Sequence, residues 1–233
     1  MNNLASKLRE GTKHSHTEAE NVAFIKCFIK GVVDLNSFKR MISSLYLVYQ
    51  ALETEMERNQ NHPILGKIYF SELNRTASLA KDLEYYYGSN WQQEMSSAAT
   101  AKMYIDRIRE LAATEPALLV GHAYTRYMGD LSGGQAFGRI TRSALNLPEG
   151  EGAAFYEFKE IPDARDFKMK YRAALESLPI DETMADKIVT EANIAFDFNM
   201  TMFEELEGDL IQGLGIERFT ELTTQRQKGS TTV

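Results

Sequence analysis

Apolar residues recur at helical spacing along almost the whole chain, and this pattern limits the folds open to it more than any other feature. Strand-like alternation is scarce, and five prolines in 233 residues leave long segments uninterrupted. The spacing predicts seven helices, which run from about Leu4 to beyond Glu20 and then over residues 36–57, 78–88, 96–114, 116–147, 164–177 and 181–214. No repeat or composition shift marks a domain boundary. We therefore predict a single all-α domain over residues 1–222, followed by a polar, disordered tail at 223–233.

The composition indicates a globular protein with a sizeable core, since 43% of the residues are hydrophobic and 25% are charged. A net charge of −7 without runs of Lys or Arg argues against a nucleic-acid-binding protein. We find neither a signal peptide nor the roughly 20 apolar residues of a membrane span, and so expect a cytoplasmic protein with no membrane partner. The single cysteine, Cys27, suits a reducing compartment. We expect it to be a small buried side chain rather than an axial thiolate.

Residues 121–135, GHAYTRYMGDLSGGQ, hold four glycines inside a segment whose flanks predict a helix. Pro116 suits a first helical turn, and AFGRITRSALNL continues the apolar spacing beyond the glycines. Each glycine costs a helix about 0.5–1 kcal/mol relative to alanine. A backbone kept bare and bendable at that cost indicates that something flat and large lies against it.

Histidines are the candidate metal ligands, and helical periodicity separates the two on the first helix. At about 100° per residue an apolar stripe runs from Leu4 to Val22; His16 falls on its flank, whereas His14 points away. Such a histidine is commonly a hydrogen-bonded structural residue, and that interpretation stays open. Glu20, one turn on, is placed to accept a hydrogen bond from the imidazole nitrogen that does not bind metal. Because no cluster of further ligands accompanies them, a zinc site is not indicated, whereas a single histidine suits a haem.

Two pairs of basic residues stand one helical turn apart, Arg9 with Lys13 and Lys168 with Arg172. Either pair alone is typical of a solvated helix face. The alternative is a clamp on two carboxylates, for which arginine is well suited. Arg9 and Lys13 share the first helix with His16, which favours the clamp.

A stripe of large side chains on the last long helix is a further candidate. Phe196, Asn199 and Phe203 recur at i, i+3 and i+7. Such a stripe is commonly core, and beside a ligand-binding histidine it can form a pocket wall; both interpretations stay open here.

Five segments of the sequence resemble the haem oxygenase family, and they follow the family's order. HAYTRYMGDLSGGQ is similar to its distal-helix signature, and the other four are LREGTKHSHTEAEN, ASLAKDLEYYYGSNW, DFKMKYRAALESLP and TEANIAFDFNMTMFEELE. FSELNR, FYEFKEIP and the absence of a C-terminal membrane tail most resemble the cyanobacterial and plastid branch. The resemblance spans nearly the whole chain. It implies an all-α fold in which haem lies between a proximal N-terminal helix and a kinked, glycine-rich distal helix.

The resemblance also implies roles for individual residues. His16 is the expected iron ligand with Glu20 behind it, and Phe196 and Phe203 are expected to contact the haem. The residues expected to meet the haem propionates are Arg9, Lys13, Tyr124, Lys168 and Arg172. The residues expected on the distal side are Gly129 and Gly133 over the haem, the aspartate Asp130, and the hydrogen-bonding residues Tyr49, Thr125, Arg126 and Asn199.

The reaction implied by the resemblance is the oxidation of haem b, both substrate and prosthetic group, at its α-meso carbon. The products are biliverdin IXα, carbon monoxide and ferrous iron. Besides O2 the reaction needs an external electron donor, because the chain has no flavin- or nicotinamide-binding motif. The branch implies reduced ferredoxin as that donor and a bilin reductase as a downstream partner. The glycines are expected to let the backbone approach the iron, and Asp130 to hold the waters that deliver protons.

Three other functions remain open at this point. A haem carrier or sensor should lack the distal aspartate and the glycine pair. A haem-free enzyme of similar architecture, such as a thiaminase-like protein, would need a nucleophile, and Cys27 lies in no such context. An all-α interaction protein leaves the glycine-rich helix unexplained.

Overall fold

The computed structural model describes residues 3–224, and over this range the chain is mostly helical and contains no β-strand. This part of the chain forms thirteen α-helices: α1 (Leu4–Gly11), α2 (Lys13–Asn21), α3 (Ala23–Ile29), α4 (Leu35–Arg58), α5 (Thr76–Tyr87), α6 (Trp91–Glu94), α7 (Ala99–Thr114), α8 (Leu119–Ala123), α9 (Gly129–Ala144), α10 (Ala164–Glu176), α11 (Glu182–Glu204), α12 (Glu207–Leu214) and α13 (Ile216–Thr223). A π-helical turn, Tyr124–Met128, joins α8 to α9. The all-α prediction is confirmed.

Aspartates begin three of these helices by capping their first free N–H groups. Asp34 accepts the N–H of Ser37 at 2.8 Å at the start of α4. Asp181 accepts that of Met184 at 2.8 Å at the start of α11. Asp163 accepts two N–H groups of the first turn of α10, at 2.7 and 3.0 Å. Local side-chain chemistry therefore fixes where the two longest helices begin.

The predicted first helix is in fact three helices. Thr12 separates α1 from α2, and Val22, which is extended at φ −58° and ψ 136°, separates α2 from α3. The prediction of one helix is wrong because the apolar stripe continues across the break at Thr12 as far as Val22. The segment α3, AFIKCFI, is apolar on almost every side, so it has no helical period to recognise.

The predicted helix over residues 181–214 divides at Glu205 and Leu206 into α11 and α12. The carboxylate of Glu205 accepts the N–H groups of Ala99 and Thr100 at 2.6 and 2.8 Å, and so caps α7 from a distant part of the chain. Leu206 is fully buried at the bend. This bend depends on tertiary contacts, which periodicity does not register.

The long helices α4 and α11 form the centre of the molecule. One stripe of α4 at helical spacing is at most 2% exposed and consists of Leu45, Val48, Tyr49 and Leu52. The helix α4 packs against α5 and α7, and α11 packs against α1, α2, α7 and α8. Thus α11 touches both the N-terminal helices and the helix that leads into the glycine-rich segment.

Cys27 is fully buried in the core, as predicted, and burial raises the pKa of its thiol while Lys30 opposes that rise. Between residues 3 and 224, no helix combines the length and the apolar character needed to cross a bilayer. Thr223 ends α13, and the rest of the predicted polar tail, from residue 225 onward, lies outside the described residues.

Candidate functional site

A cavity of about 500 Å³ lies between the N-terminal helices, the glycine-rich segment and α11. Its volume is within the usual range for small-molecule sites. The predicted site residues that line it are His16, Glu20, Tyr124, Thr125, Arg126, Gly129, Asp130, Gly133, Phe196, Asn199 and Phe203. Much of the remaining wall is apolar and comes from Ile25, Phe28, Ile29, Met41, Leu45, Phe137 and Ile140.

His16 is half-buried on α2 and lines the cavity, whereas His14 is exposed and does not line it. The Nδ1 atom of His16 lies 3.7 Å from Oε1 of Glu20, which is within ion-pair range but longer than a hydrogen bond. The ring of Phe196 meets the imidazole edge-on, with the centroids 6.0 Å apart. One imidazole and one carboxylate thus stand together on this wall.

The glycines of residues 121–135 meet two different requirements. A Cβ atom on Gly121 would lie 2.8 Å from backbone atoms of Ile188 and Ala192, so glycine lets α8 approach α11 more closely than a side chain would allow. A Cβ on Gly129 would meet nothing within 4 Å, and one on Gly133 would meet only the ring of Phe137, at 3.5 Å. Since both residues line the cavity, α9 presents a wall without side chains there.

The irregular turn of this segment lies before the cavity glycines. Residues Tyr124–Met128 form the π-helical turn, whereas Gly129 has ordinary helical angles of φ −61° and ψ −49°. Such π-helical turns often occur at functional sites. The sequence indicates a backbone that is both free of side chains and able to bend. In the structure only the missing side chain explains Gly129, because any residue can adopt its helical backbone conformation.

Asp130 ends a chain of buried hydrogen bonds. The hydroxyl of Tyr49 donates to one of its oxygens, and Arg126 donates to the other at 3.2 Å. Arg126 also donates from Nε to Tyr49 at 3.1 Å and from a terminal nitrogen to Asn199 at 2.7 Å. Tyr49 is fully buried and stands behind the cavity wall, whereas Asp130 lines the cavity. Asp130 therefore reaches the cavity together with Arg126 and Asn199, and it is the carboxylate of the group.

Burial controls the ionisation of this chain. It raises the pKa of Asp130, although the charge of Arg126 and the hydroxyl of Tyr49 oppose the rise. It also raises the pKa of Tyr49 well above its ordinary value, again against Arg126. Tyr49 therefore stays a hydrogen-bond donor, and Asp130 is the member that takes up a proton first. Thr125, also expected in this group, instead donates to the main-chain carbonyl of Ala192 at 3.2 Å.

A small cleft beside the cavity brings together four of the five expected propionate contacts, three cations and one tyrosine. Arg9, Lys168 and Arg172 line it together with Tyr124 and Ser132, and the last two also line the cavity. Lys168 donates to the Ser132 hydroxyl at 3.3 Å. Burial raises the pKa of the Tyr124 hydroxyl, and the charge of Arg172 opposes that rise. The cleft thus forms a cationic edge to the cavity.

The three cleft cations, unlike the neighbouring Lys7, have no carboxylate partner among the described residues. Lys7, two residues before Arg9 on α1, pairs with Glu182 and Asp186. Within the described residues, no carboxylate lies within ion-pair distance of the three cleft cations. Lys13 is exposed and lines neither cavity nor cleft, so this conformation does not bring it into the site.

Sequence reasoning missed the wall that α3 contributes. The ring of Phe28 lies 5.0 Å from that of Phe137, and Phe24 stacks on Phe203 at 5.8 Å. The only signal for this wall was the short apolar run of α3, which could equally have been core. Together, an imidazole, an apolar wall, a bare helix face and a cationic edge fit a flat apolar group that carries a metal and two carboxylates.

The heme oxygenase family model matches residues 2–205 of the chain. A protein named heme oxygenase 1 from Synechocystis sp. is 57% identical over 99% of this chain and 96% of its own length. Its namesake from Nostoc sp. is 53% identical over 98% of this chain and 96% of its own. Among solved structures, heme oxygenase-2 from Synechocystis in complex with heme and NO superimposes with a TM-score of 0.97 at 50% identity, covering 99% of this chain and 96% of that one. Heme oxygenase-1 from Synechocystis in complex with heme gives a TM-score of 0.90 at 57% identity, covering 95% and 100%. The cavity, its histidine and its bare helix face therefore lie in a chain that belongs to the haem oxygenase family.

Proposed function

We propose that this chain binds haem in the cavity between His16 and the bare face of α9 and opens it at the α-meso carbon. As a haem oxygenase, it cleaves haem oxidatively to biliverdin, carbon monoxide and ferrous iron. The observation that carries the site assignment is that His16 and the surface without side chains at Gly129 line one cavity. When bound, haem supplies the iron at which O2 reacts and the macrocycle that is oxidised.

In this proposal His16 holds the iron through the imidazole nitrogen that faces away from Glu20. Glu20 then accepts the N–H at Nδ1, after a movement of less than 1 Å from the present 3.7 Å to a hydrogen bond of about 3 Å. That contact fixes the tautomer and the plane of the ring. Phe196 supports the other side of the imidazole edge-on, and Phe203 continues the same wall.

The cationic cleft sets the in-plane orientation of the substrate. Arg9, Lys168 and Arg172 would hold the two propionates, with the Tyr124 hydroxyl beside them. Lys13, which follows Arg9 across the break at Thr12 and lines neither cavity nor cleft, would have to move to join them at the outer rim. The apolar wall of α3 accepts the edge of the macrocycle that carries no charge. One orientation then brings the same meso carbon under the open side of α9 in every molecule.

Asp130 is proposed to hold and move protons on the distal side. Its carboxylate lines the cavity beside Arg126 and Asn199 and is hydrogen-bonded to Tyr49 and Arg126, and burial raises its pKa in the direction that favours taking up a proton. Gly129 and Gly133 leave room above the macrocycle, since neither has a side chain to fill it. Thr125 contributes by tying the π-helical turn to α11.

Reduced ferredoxin is the proposed electron donor. The three cleft cations exceed the charge of two propionates by one, and this remaining positive charge, in a chain of net charge −7, would steer an acidic protein to the edge of the cavity. The linear tetrapyrrole product would pass to a bilin reductase. The buried thiol of Cys27 is compatible with a cytoplasmic site of action.

The test of the ligand assignment compares two histidine variants. His16→Ala should abolish the neutral-imidazole absorption and magnetic-resonance signature of the haem complex, and added imidazole should restore it. His14→Ala is the matched control and should leave the signature unchanged, because His14 is exposed outside the cavity. Loss of the signature in His14→Ala, with retention in His16→Ala, would overturn the assignment.

A further inference from the structure

The helix that carries His16 has little buried packing of its own. None of the residues of α2, Lys13–Asn21, is buried, although α1 before it buries Leu4 and Leu8 completely. The apolar packing that usually holds a helix in place is therefore weak for α2. Its position must depend on specific contacts with a neighbouring element.

One stripe of α11 makes specific contacts with α1 and α2. Asp186 pairs with Lys7 of α1, and Val189, one turn on, lies so close to Gly11 that a Cβ there would overlap its side chain. Asn193 follows, and after it Phe196 meets the ring of His16. The spacing of i, i+3, i+7 and i+10 places these four side chains on one helix face, which runs along α1 and α2.

Asn193 is the member of this stripe that holds both sides of the break between α1 and α2. Its Nδ2 donates to the main-chain carbonyl of Gly11 at 3.1 Å, before the break at Thr12. Its Oδ1 accepts from the hydroxyl of Ser15 at 2.6 Å, after the break and next to His16. The same Nδ2 also donates to the carbonyl of Val189 at 2.9 Å, which fixes the rotamer of the amide.

We propose that Asn193 is a positioning residue that sets the angle of α2 and thereby the height and rotation of His16. This role rests on the proposed function of His16 as the iron ligand. An amide suits the position because it offers a donor and an acceptor at once. Aspartate would keep the acceptor for Ser15, but it would turn a second negative oxygen toward the Gly11 carbonyl.

The first test uses the haem-free protein, so that it does not depend on substrate. Asn193→Ala removes two interhelical hydrogen bonds, and amide hydrogen exchange of α2 should accelerate on the order of tenfold, while α10 exchanges as before. Asn193→Asp should accelerate it as well. Thr190→Ala is the matched control, since Thr190 is exposed one turn earlier on α11, and it should leave α2 unchanged. Ser15→Ala should add little to Asn193→Ala, because both remove the same hydrogen bond.

The second test reads His16 itself. In the ferrous haem complex, the iron–imidazole stretching band in the resonance Raman spectrum should broaden or shift in Asn193→Ala and stay at the wild-type position in Thr190→Ala. Two results in Asn193→Ala would overturn the positioning role alone. One is amide exchange of α2 at the wild-type rate, and the other is faster exchange with an unchanged iron–imidazole band. A band that survives in His16→Ala would overturn the ligand assignment, and with it the positioning role.

Discussion

Gly129→Ala should stabilise the protein and impair its function at the same time. A Cβ at this position meets nothing within 4 Å, and the backbone is already helical at φ −61°. Alanine in a helix is more stable than glycine by about 0.5–1 kcal/mol. For a chain of this size that gain corresponds to a rise of roughly 1–4 °C in the midpoint of thermal unfolding of the haem-free protein. The added methyl group, however, would stand on the surface over which haem is proposed to lie.

The functional loss should be about tenfold or more in haem affinity or turnover, because overpacking a close contact costs about 1–3 kcal/mol. Thermal unfolding without haem measures the stability, absorption titration measures the haem affinity, and biliverdin formation measures the turnover. Gly208→Ala is the matched control: its Cβ also meets nothing within 4 Å, and it lies on α12 outside the cavity. Gly121→Ala should instead destabilise the fold by collision with α11. If Gly129→Ala kept both the haem affinity and the turnover of Gly208→Ala, the proposal of a bare wall would be refuted.

Three further predictions follow from the same geometry. Asp130→Ala should keep haem affinity within a few-fold but yield little biliverdin after hydrogen peroxide is added to the ferric complex. Asp130→Asn should retain more activity than Asp130→Leu. Full conversion in Asp130→Ala, seen by single-turnover absorption, would contradict the role of this carboxylate. The double variant Lys168→Ala/Arg172→Ala should keep iron ligation but release a mixture of biliverdin isomers, and chromatography that finds only the α isomer at undiminished affinity would exclude the orientation role. Glu191 is nearly fully buried, yet its hydrogen bonds to His122 and Arg107 outweigh burial and lower its pKa to about 2. Since the folded-state pKa lies below the ordinary value of about 4.5, this carboxylate stabilises the fold above pH 4.5 and ceases to do so as the pH falls toward 2. Glu191→Gln should therefore lower the free energy of unfolding at pH 7 by on the order of 2 kcal/mol, and urea unfolding should find the difference shrinking below pH 4.5; an equal loss at pH 3 and pH 7 would exclude an ionic origin.

The sequence predicted the elements whose signal is local. The stripe of α4 with Leu45 and Leu52 is buried as its period required, and Gly88, at φ 80°, follows the last residue of α5 as a glycine cap should. The difference between His16 and His14 also came from periodicity alone. Each of these properties depends on residues within a few turns of one another, which is the range over which a pattern carries information.

Properties that depend on distant parts of the chain were not predictable in this way. The break at Thr12 occurs where Gly11 lies against α11, and the bend at Glu205 accompanies its capping of α7. The spacing of Arg126 and Asp130 places them on one helix face, but only the packing of α4 brings Tyr49 between them. The contact of Asn193 with Ser15 has no sequence signal, because a half-exposed asparagine on a helix is unremarkable until its partner is known.

The most direct test of the central claim is a single reaction followed to its product. The protein is mixed with one equivalent of haem, reduced ferredoxin and a ferredoxin-reducing system under air. The products are then separated by chromatography, and carbon monoxide is measured in the gas phase. The account predicts one equivalent each of biliverdin IXα and carbon monoxide, with ferrous iron trapped by a chelator. Tight haem binding without bilin or carbon monoxide would indicate a carrier and would contradict the account, as would a mixture of biliverdin isomers from the wild-type protein.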